Sequence, residues 1–342
     1  MPKKLKCAIL GAGNVASHHV KAWQQLGQVE VVGIYRRNEE KAKQFADEHR
    51  LSWTTDYKEF LNDPQIDMVD IVLPSGLHSQ FGQEAARAGK HVIVEKPIDV
   101  TLDKADQLIK TCEQHNVTLG TVSQYRFMTG MQQMYEVLRQ GKLGKLVQGD
   151  AYIKWYRPQD YYESGAWRGT WQLDGGGPFM NQGIHFIDLL LSAMGPVKSV
   201  YAKTKTIAHS IEVEDIGVAL LEFRNGALGV IEASTSSFPG LPAKLDIHGT
   251  DGTLSIEGDK LVFMHTKNEE PYHASDVDSG GASKPMDIDV TPFVRQFQDI
   301  VTAIHKGSQP TVNGYEARKP LELILAIYQS ARKGKTIVLN GQ

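Results

Sequence analysis

The chain has 342 residues, 41% apolar and 23% charged, with a formal net charge of -3. That length suggests two domains, and the near-balanced charge gives no reason to expect nucleic acid or an anionic membrane as partner. The only cysteines, Cys7 and Cys112, lack CxxC spacing, so both read as reduced core thiols and no disulfide framework or thiolate metal site is expected. The first apolar run is too short for a signal peptide and no segment approaches the roughly 20 apolar residues of a membrane span, so a cytoplasmic protein is expected.

From residue 4 to 122, short apolar runs (KCAIL, VEVVGIY, MVDIVL, HVIVEK, TLGTV) alternate with amphipathic segments whose apolar residues recur at three and four spacing. Strand and helix in this rhythm predict a doubly wound parallel sheet, a Rossmann domain over residues 1–122. Residues 123–342 predict a second, α+β domain. A helix over GMQQMYEVLRQG and a strand over VQGDAYIKWY lead into a Trp-, Tyr- and Gly-rich connection, then a helix from GGGPFMNQGIHFID. The runs VKSVYAKTK, IGVALLEF, GALGVIEAST, KLDIHGT, GTLSIEG and KLVFMH follow without helices between them. Short glycine turns such as RNGA and TDGT predict hairpins in a large, mostly antiparallel, open-faced sheet. Residues 266–290 read as a surface loop, and two helices close the chain. In a two-domain protein of this kind the active site is expected in the cleft between the domains.

The turn GAGNVA, Gly11 to Ala16, joins the first strand to the first helix with G-x-G-x-x-A spacing. Gly11 allows the tight turn, Gly13 lets backbone approach a pyrophosphate, and the helix start at Asn14 and Val15 offers N–H groups to phosphate. The second strand of such domains normally ends in a carboxylate that binds the ribose hydroxyls of NAD; here Arg36 and Arg37 stand there instead. A guanidinium suits the 2′-phosphate, which favours NADP over NAD.

With LPSGLH (Leu73 to His78), EKP (Glu95 to Pro97), QYRF (Gln124 to Phe127) and an N-x-x-x-H-x-x-D pattern over Asn181, His185 and Asp188, the chain resembles the oxidoreductases named for glucose-fructose oxidoreductase, inositol dehydrogenase and MocA. The resemblance covers essentially the whole chain. It implies that Lys96 lies near the nicotinamide and the substrate hydroxyl, that Pro97 shapes that turn and often follows a cis peptide bond, and that His185 is an acid/base or orienting group. It also puts Leu73, Pro74, His78, Glu95 and Gln124 on the cofactor side. Many relatives carry aspartate where this chain has Asn181. WYRP, WRGTW and MNQGIH further resemble a nucleotide-sugar dehydrogenase branch whose members tend to use NAD, against the arginine argument.

Hydride transfer from a carbinol needs a base for the hydroxyl proton. A lysine, with pKa about 10.4, becomes one where burial and a cationic nicotinamide lower that value, which makes Lys96 and His185 the candidate catalytic residues. Asn181, His185 and Asp188 are expected on one helix face, Asn181 as a hydrogen-bond donor to substrate or nicotinamide. Asp188 would orient the imidazole or bond backbone or an arginine. His18 and His19 read as surface or packing residues. Lys154, Tyr156, Arg157, Trp167 and Arg168 suit a sugar, whose C–H faces stack on rings and whose hydroxyls or phosphates take charged hydrogen bonds. The expected activity is an NAD(P)-dependent hydride transfer at a secondary hydroxyl of a sugar, sugar derivative, nucleotide sugar or cyclitol. A homo-oligomer formed through the C-terminal sheet is expected. A cofactor-binding sensor and an aldose-aldose oxidoreductase that retains its cofactor are the alternatives.

Overall fold

The computed structural model describes residues 3–274 and 289–339. The chain divides into two compact units, one of Met1–Gln124 with Asp289–Arg318, the other of Tyr125–Ile288 with Lys319–Gln342.

In the first unit β1 (Leu5–Leu10), α1 (Asn14–Gln25), β2 (Val29–Tyr35), α2 (Glu39–His49), β3 (Ser52–Thr54), α3 (Lys58–Asn62), β4 (Met68–Ile71), α4 (His78–Arg87), β5 (His91–Val94), α5 (Leu102–Gln114) and β6 (Leu119–Thr121) follow in order. The six strands form one parallel sheet in the order β3-β2-β1-β4-β5-β6, the doubly wound arrangement expected. Every residue of β4 is buried, as befits a strand covered on both faces. The sequence reading lacks β3 and α3, because three and five residues are too few to display a period.

The second unit contains α6 (Thr129–Arg139), β7 (Leu146–Lys154), α7 (Gln159–Glu163), α8 (Ile184–Met194), β8 (Val197–Lys205), β9 (Ile216–Phe223), β10 (Leu228–Ser234), β11 (Lys244–Gly249), β12 (Gly252–Glu257), β13 (Lys260–Thr266) and β14 (Glu269–His273). After α9 (Thr291–Lys306) and α10 (Gly314–Lys333), β15 (Ile337–Val338) joins the same sheet. The order is β14-β13-β12-β11-β7-β10-β9-β8-β15, antiparallel throughout except where β7 meets β10. Along β9 burial alternates strictly enough to fix which face is covered: Ala219 and Leu221 are buried while Val218 and Leu220 are exposed.

Two expectations change. The loop expected over 266–290 contains β14, paired with β13; its part at 275–288 lies outside the described residues. The sequence division at residue 122 assigns the whole remainder to the second domain, whereas Asp289–Arg318 groups with the first unit. The cause is aromatic: Phe293 and Phe297 of α9 lie on α1, with the Phe297 ring stacked 3.9 Å from that of Trp23. Among the described residues no helix is long and apolar enough to cross a membrane.

Candidate active site

The glycine turn after β1 has the geometry a pyrophosphate needs. Gly11 has φ of 126°, and a Cβ there would stand 2.3 Å from the Val72 carbonyl oxygen, so no other residue fits. Gly13 caps α1 without any side-chain hydrogen bond, and nothing lies within 4 Å of where its Cβ would be. The N-terminus of α1 is thus bare backbone without a side-chain cap, and Asn14 and Val15 at that end are exposed. A dinucleotide fits this cradle. Arg36 is half-buried and donates from its guanidinium to the Ala12 carbonyl, closing over the turn, while Arg37 is exposed.

The β4 and β5 ends carry the next group. Leu73 and Pro74 follow β4 and are half-buried; His78, 1% exposed, bridges the Leu73 and Pro97 carbonyls at 2.8 Å each. His78 thus braces the loop after β4 against the Glu95-Lys96-Pro97 turn, and the Lys96–Pro97 bond is cis. Lys96 is half-buried at the carboxyl end of β5. Its backbone N–H donates to Glu95 Oε2 at 3.0 Å. Gln124 is buried, and among the described residues its Oε1 has no hydrogen-bond partner, so it can accept from a bound group.

Beneath this turn lies a cluster that the sequence reading misses. His19, taken there as a surface or packing residue, is fully buried between two carboxylates: Nδ1 lies 2.8 Å from Asp70 and Nε2 2.9 Å from Glu95. Trp23 Nε1 also donates to Asp70, at 2.7 Å. Burial alone would depress the imidazole, but the Asp70 and Glu95 charges outweigh it and push it up to about 10. His19 is therefore an imidazolium at neutral pH. The one visible signal is Asp70, a carboxylate inside a fully apolar strand, which requires a buried partner.

In the second unit α8 begins at Ile184, so Asn181 is not on the helix as expected but in the turn before it. Its amide nitrogen donates to Asp174 at 2.7 Å. The glycines explain the late start. A Cβ on Gly176 would stand 2.0 Å from Tyr328 Oη and one on Gly177 1.7 Å from the Glu214 carbonyl oxygen, so the chain must pass here as bare backbone. His185, 8% exposed, stacks on Tyr125 at 4.3 Å and 14°. Asp188 takes two hydrogen bonds from Arg126 at 2.6 and 2.8 Å, the arginine alternative among those expected for it. QYRF thus grips α8 twice, through Tyr125 and through Arg126.

Burial pushes the Tyr125 hydroxyl up to about 12, although the nearby Arg157 charge pulls the other way. Arg157 is buried, with its guanidinium 5.2 Å from the Trp155 ring and 5.6 Å from that of Tyr161. Arg168 lies 4.4 Å from Tyr161 and 4.6 Å from Trp167, and donates to the Tyr161 hydroxyl at 2.7 Å. Arg157, Trp167 and Arg168 are thus gathered around Tyr161. Lys154 and Tyr156 stand apart: Lys154 pairs with Glu232 at 2.8 Å, and Tyr156 meets Phe238 edge-on. Among the described residues no group of three or more His, Cys, Asp or Glu could hold a metal ion.

Residues 5–123 match the model of the oxidoreductase family with NAD-binding Rossmann fold, and residues 131–255 match that of the GFO/IDH/MocA C-terminal domain. The chain is 30% identical to the WlbA dehydrogenase of Bordetella pertussis, whose structure holds NADH and UDP-GlcNAcA; the match covers 100% of this chain and 99% of that one, with a TM-score of 0.88. It is 25% identical to D-apiose dehydrogenase of Paraburkholderia graminis over 98% of this chain and 90% of the other. Against the uncharacterized oxidoreductase YrbE of Bacillus subtilis it is 29% identical, over 79% of each chain. With its glycine cradle, its EKP turn and matches in both parts, the chain belongs to the GFO/IDH/MocA family of oxidoreductases and is an enzyme of the NAD-binding dehydrogenase type.

Proposed function

We propose that the chain moves a hydride between a nicotinamide dinucleotide and a secondary hydroxyl or ketone on a sugar derivative that carries negative charge, a nucleotide-linked sugar being the leading case. The observation that carries this reading is the pair of guanidinium groups, Arg157 and Arg168, against the Tyr161 ring in the unit that holds His185. Aromatic faces suit a pyranose, and the cations suit a carboxylate or phosphate on it. Lys96 takes the hydroxyl proton, His185 assists, and Asn181, fixed by Asp174, positions the substrate. The nicotinamide, when bound, accepts or returns the hydride. Glu95, Leu73, Pro74, His78 and Gln124 shape the cofactor side.

The first unit serves the dinucleotide, and the second the substrate and self-association. The exposed Val218, Leu220 and Leu228 on the open sheet support a homo-oligomer, and the protein acts in the cytoplasm. Arg36 and Arg37, standing where an NAD-binding carboxylate is normally found, support use of NADP, although the WlbA relative holds NADH. Arg37→Ala is expected to weaken NADP+ binding about tenfold with NAD+ unchanged, read by calorimetry. An equal loss for both cofactors would remove the arginine argument.

Initial rates on neutral hexoses, cyclitols, uronates and nucleotide-linked uronates test the substrate class. The anionic sugars are expected to show the higher kcat/KM, and Arg168→Ala to remove about tenfold of that advantage. A preference for neutral sugars would contradict the reading. Reduced nicotinamide carried through purification would support the cofactor-retaining alternative.

A further inference from the structure

Glu214, two residues before β9, is buried, and its carboxylate is surrounded by donors. Gly177 N–H donates to Oε2 at 3.0 Å, Phe179 N–H to Oε1 at 3.2 Å, and Tyr328 Oη to Oε1 at 2.8 Å. The strap so held is the lead-in to α8. The Gly177 carbonyl accepts from Asn181 N–H at 2.9 Å, the Pro178 carbonyl from Gly183 N–H at 2.6 Å, and the Gly183 carbonyl from Ile187 N–H at 2.9 Å. A continuous hydrogen-bonded path therefore runs from the Glu214 carboxylate through the strap to Asn181 and into the helix that carries His185.

We propose that Glu214 is a positioning residue: its ionised carboxylate holds the strap Gly177–Phe179 in the conformation that presents Asn181 and His185, and a proton taken up by Glu214 loosens it. The inference rests on the role given above to those two residues. An ionised carboxylate accepts all three donors; once protonated it gives its hydrogen to the Tyr328 oxygen, which turns from donor to acceptor, and the two backbone N–H bonds lose the charge that strengthened them. Burial raises Glu214 to about 7, against the pull of the Gly177, Tyr328 and Phe179 donors, which puts the change in a working range. The ionisable side chains coupled to it from neighbouring elements include Tyr328 on α10, which donates to it, and Tyr162 on α7, both kept neutral by burial. Asp215 beside it is committed to the Ile207, Ala208 and His209 N–H groups.

Hydrogen exchange of the Gly177 and Phe179 amides, corrected for intrinsic rate, tests this in the full-length protein without any assay of turnover. Protection in the wild type is expected to fall as pH is lowered through about 7. In Glu214→Gln it is expected to be low and independent of pH, with kcat down about tenfold and KM for the cofactor unchanged. Tyr328→Phe, which keeps both backbone contacts but removes one donor to the ionised form, is expected to move the midpoint to higher pH. Protection that ignores pH in the wild type and persists in Glu214→Gln would overturn the proposal. Loosened amides with unaltered kcat would instead overturn the role assigned to Asn181 and His185.

Discussion

Lys96→Ala is expected to slow turnover by about 10²-fold or more while leaving dinucleotide affinity nearly unchanged. The separation follows from where the two tasks sit. Phosphate binding belongs to the turn at Gly11 and Gly13 and to the N-terminus of α1, whereas Lys96 stands at the carboxyl end of β5 with its backbone held by Glu95. Removing the amine takes away a proton acceptor but no part of the cradle. Single-turnover rates with calorimetry on the same preparation check it. A variant that turns over at the wild-type rate would end the assignment of Lys96 as base. A variant that loses the dinucleotide as well would make it a binding residue.

His19→Leu is expected to cost about 3–5 kcal/mol of stability, the scale of breaking a buried ion pair by removing one partner. It leaves Asp70 and Glu95 facing each other with no cation between them. The wild type should also show a pH signature. The imidazole is raised in the fold from 6.5 to about 10, so its contribution is fully present below pH 6.5 and lost as pH rises through about 10. Urea unfolding at neutral and alkaline pH reads both effects. His19→Leu should unfold at lower urea at neutral pH, and its deficit should shrink as the wild type loses its own proton. An unchanged urea midpoint would mean that His19 carries no charge. Because Glu95 also receives the Lys96 N–H, whatever activity His19→Leu keeps should show a disturbed Lys96 turn.

Legibility from sequence followed the reach of each interaction. β1, the glycine turn and α1 were readable because their signals are local: apolar periods and the conformational demand on Gly11 act within a few residues. The parallel sheet and the antiparallel run β8 to β13 followed from the same periods. His19 was misread because its partners are 51 and 76 residues away, and Glu214 was passed over because Tyr328 is 114 residues on. A buried carboxylate among apolar neighbours announces that a partner exists but not which residue it is. Asn181 was put on a helix by its spacing to His185. Spacing does not show that Gly176 and Gly177 must first pass Tyr328 and Glu214 as bare backbone, which delays the helix to Ile184. Asp70 and the triple glycine were the two local clues to these long-range clusters.

The central claim is that this chain transfers a hydride to or from a sugar hydroxyl with Lys96 handling the proton. The most direct measurement is the growth of reduced-nicotinamide absorbance when the enzyme, NAD+ or NADP+ and an anionic sugar are mixed, run beside Lys96→Ala across pH. The wild type is predicted to produce the band and Lys96→Ala to do so about 10²-fold more slowly. No reduced nicotinamide from any sugar, uronate, nucleotide sugar or cyclitol, with both cofactors bound, would contradict the account.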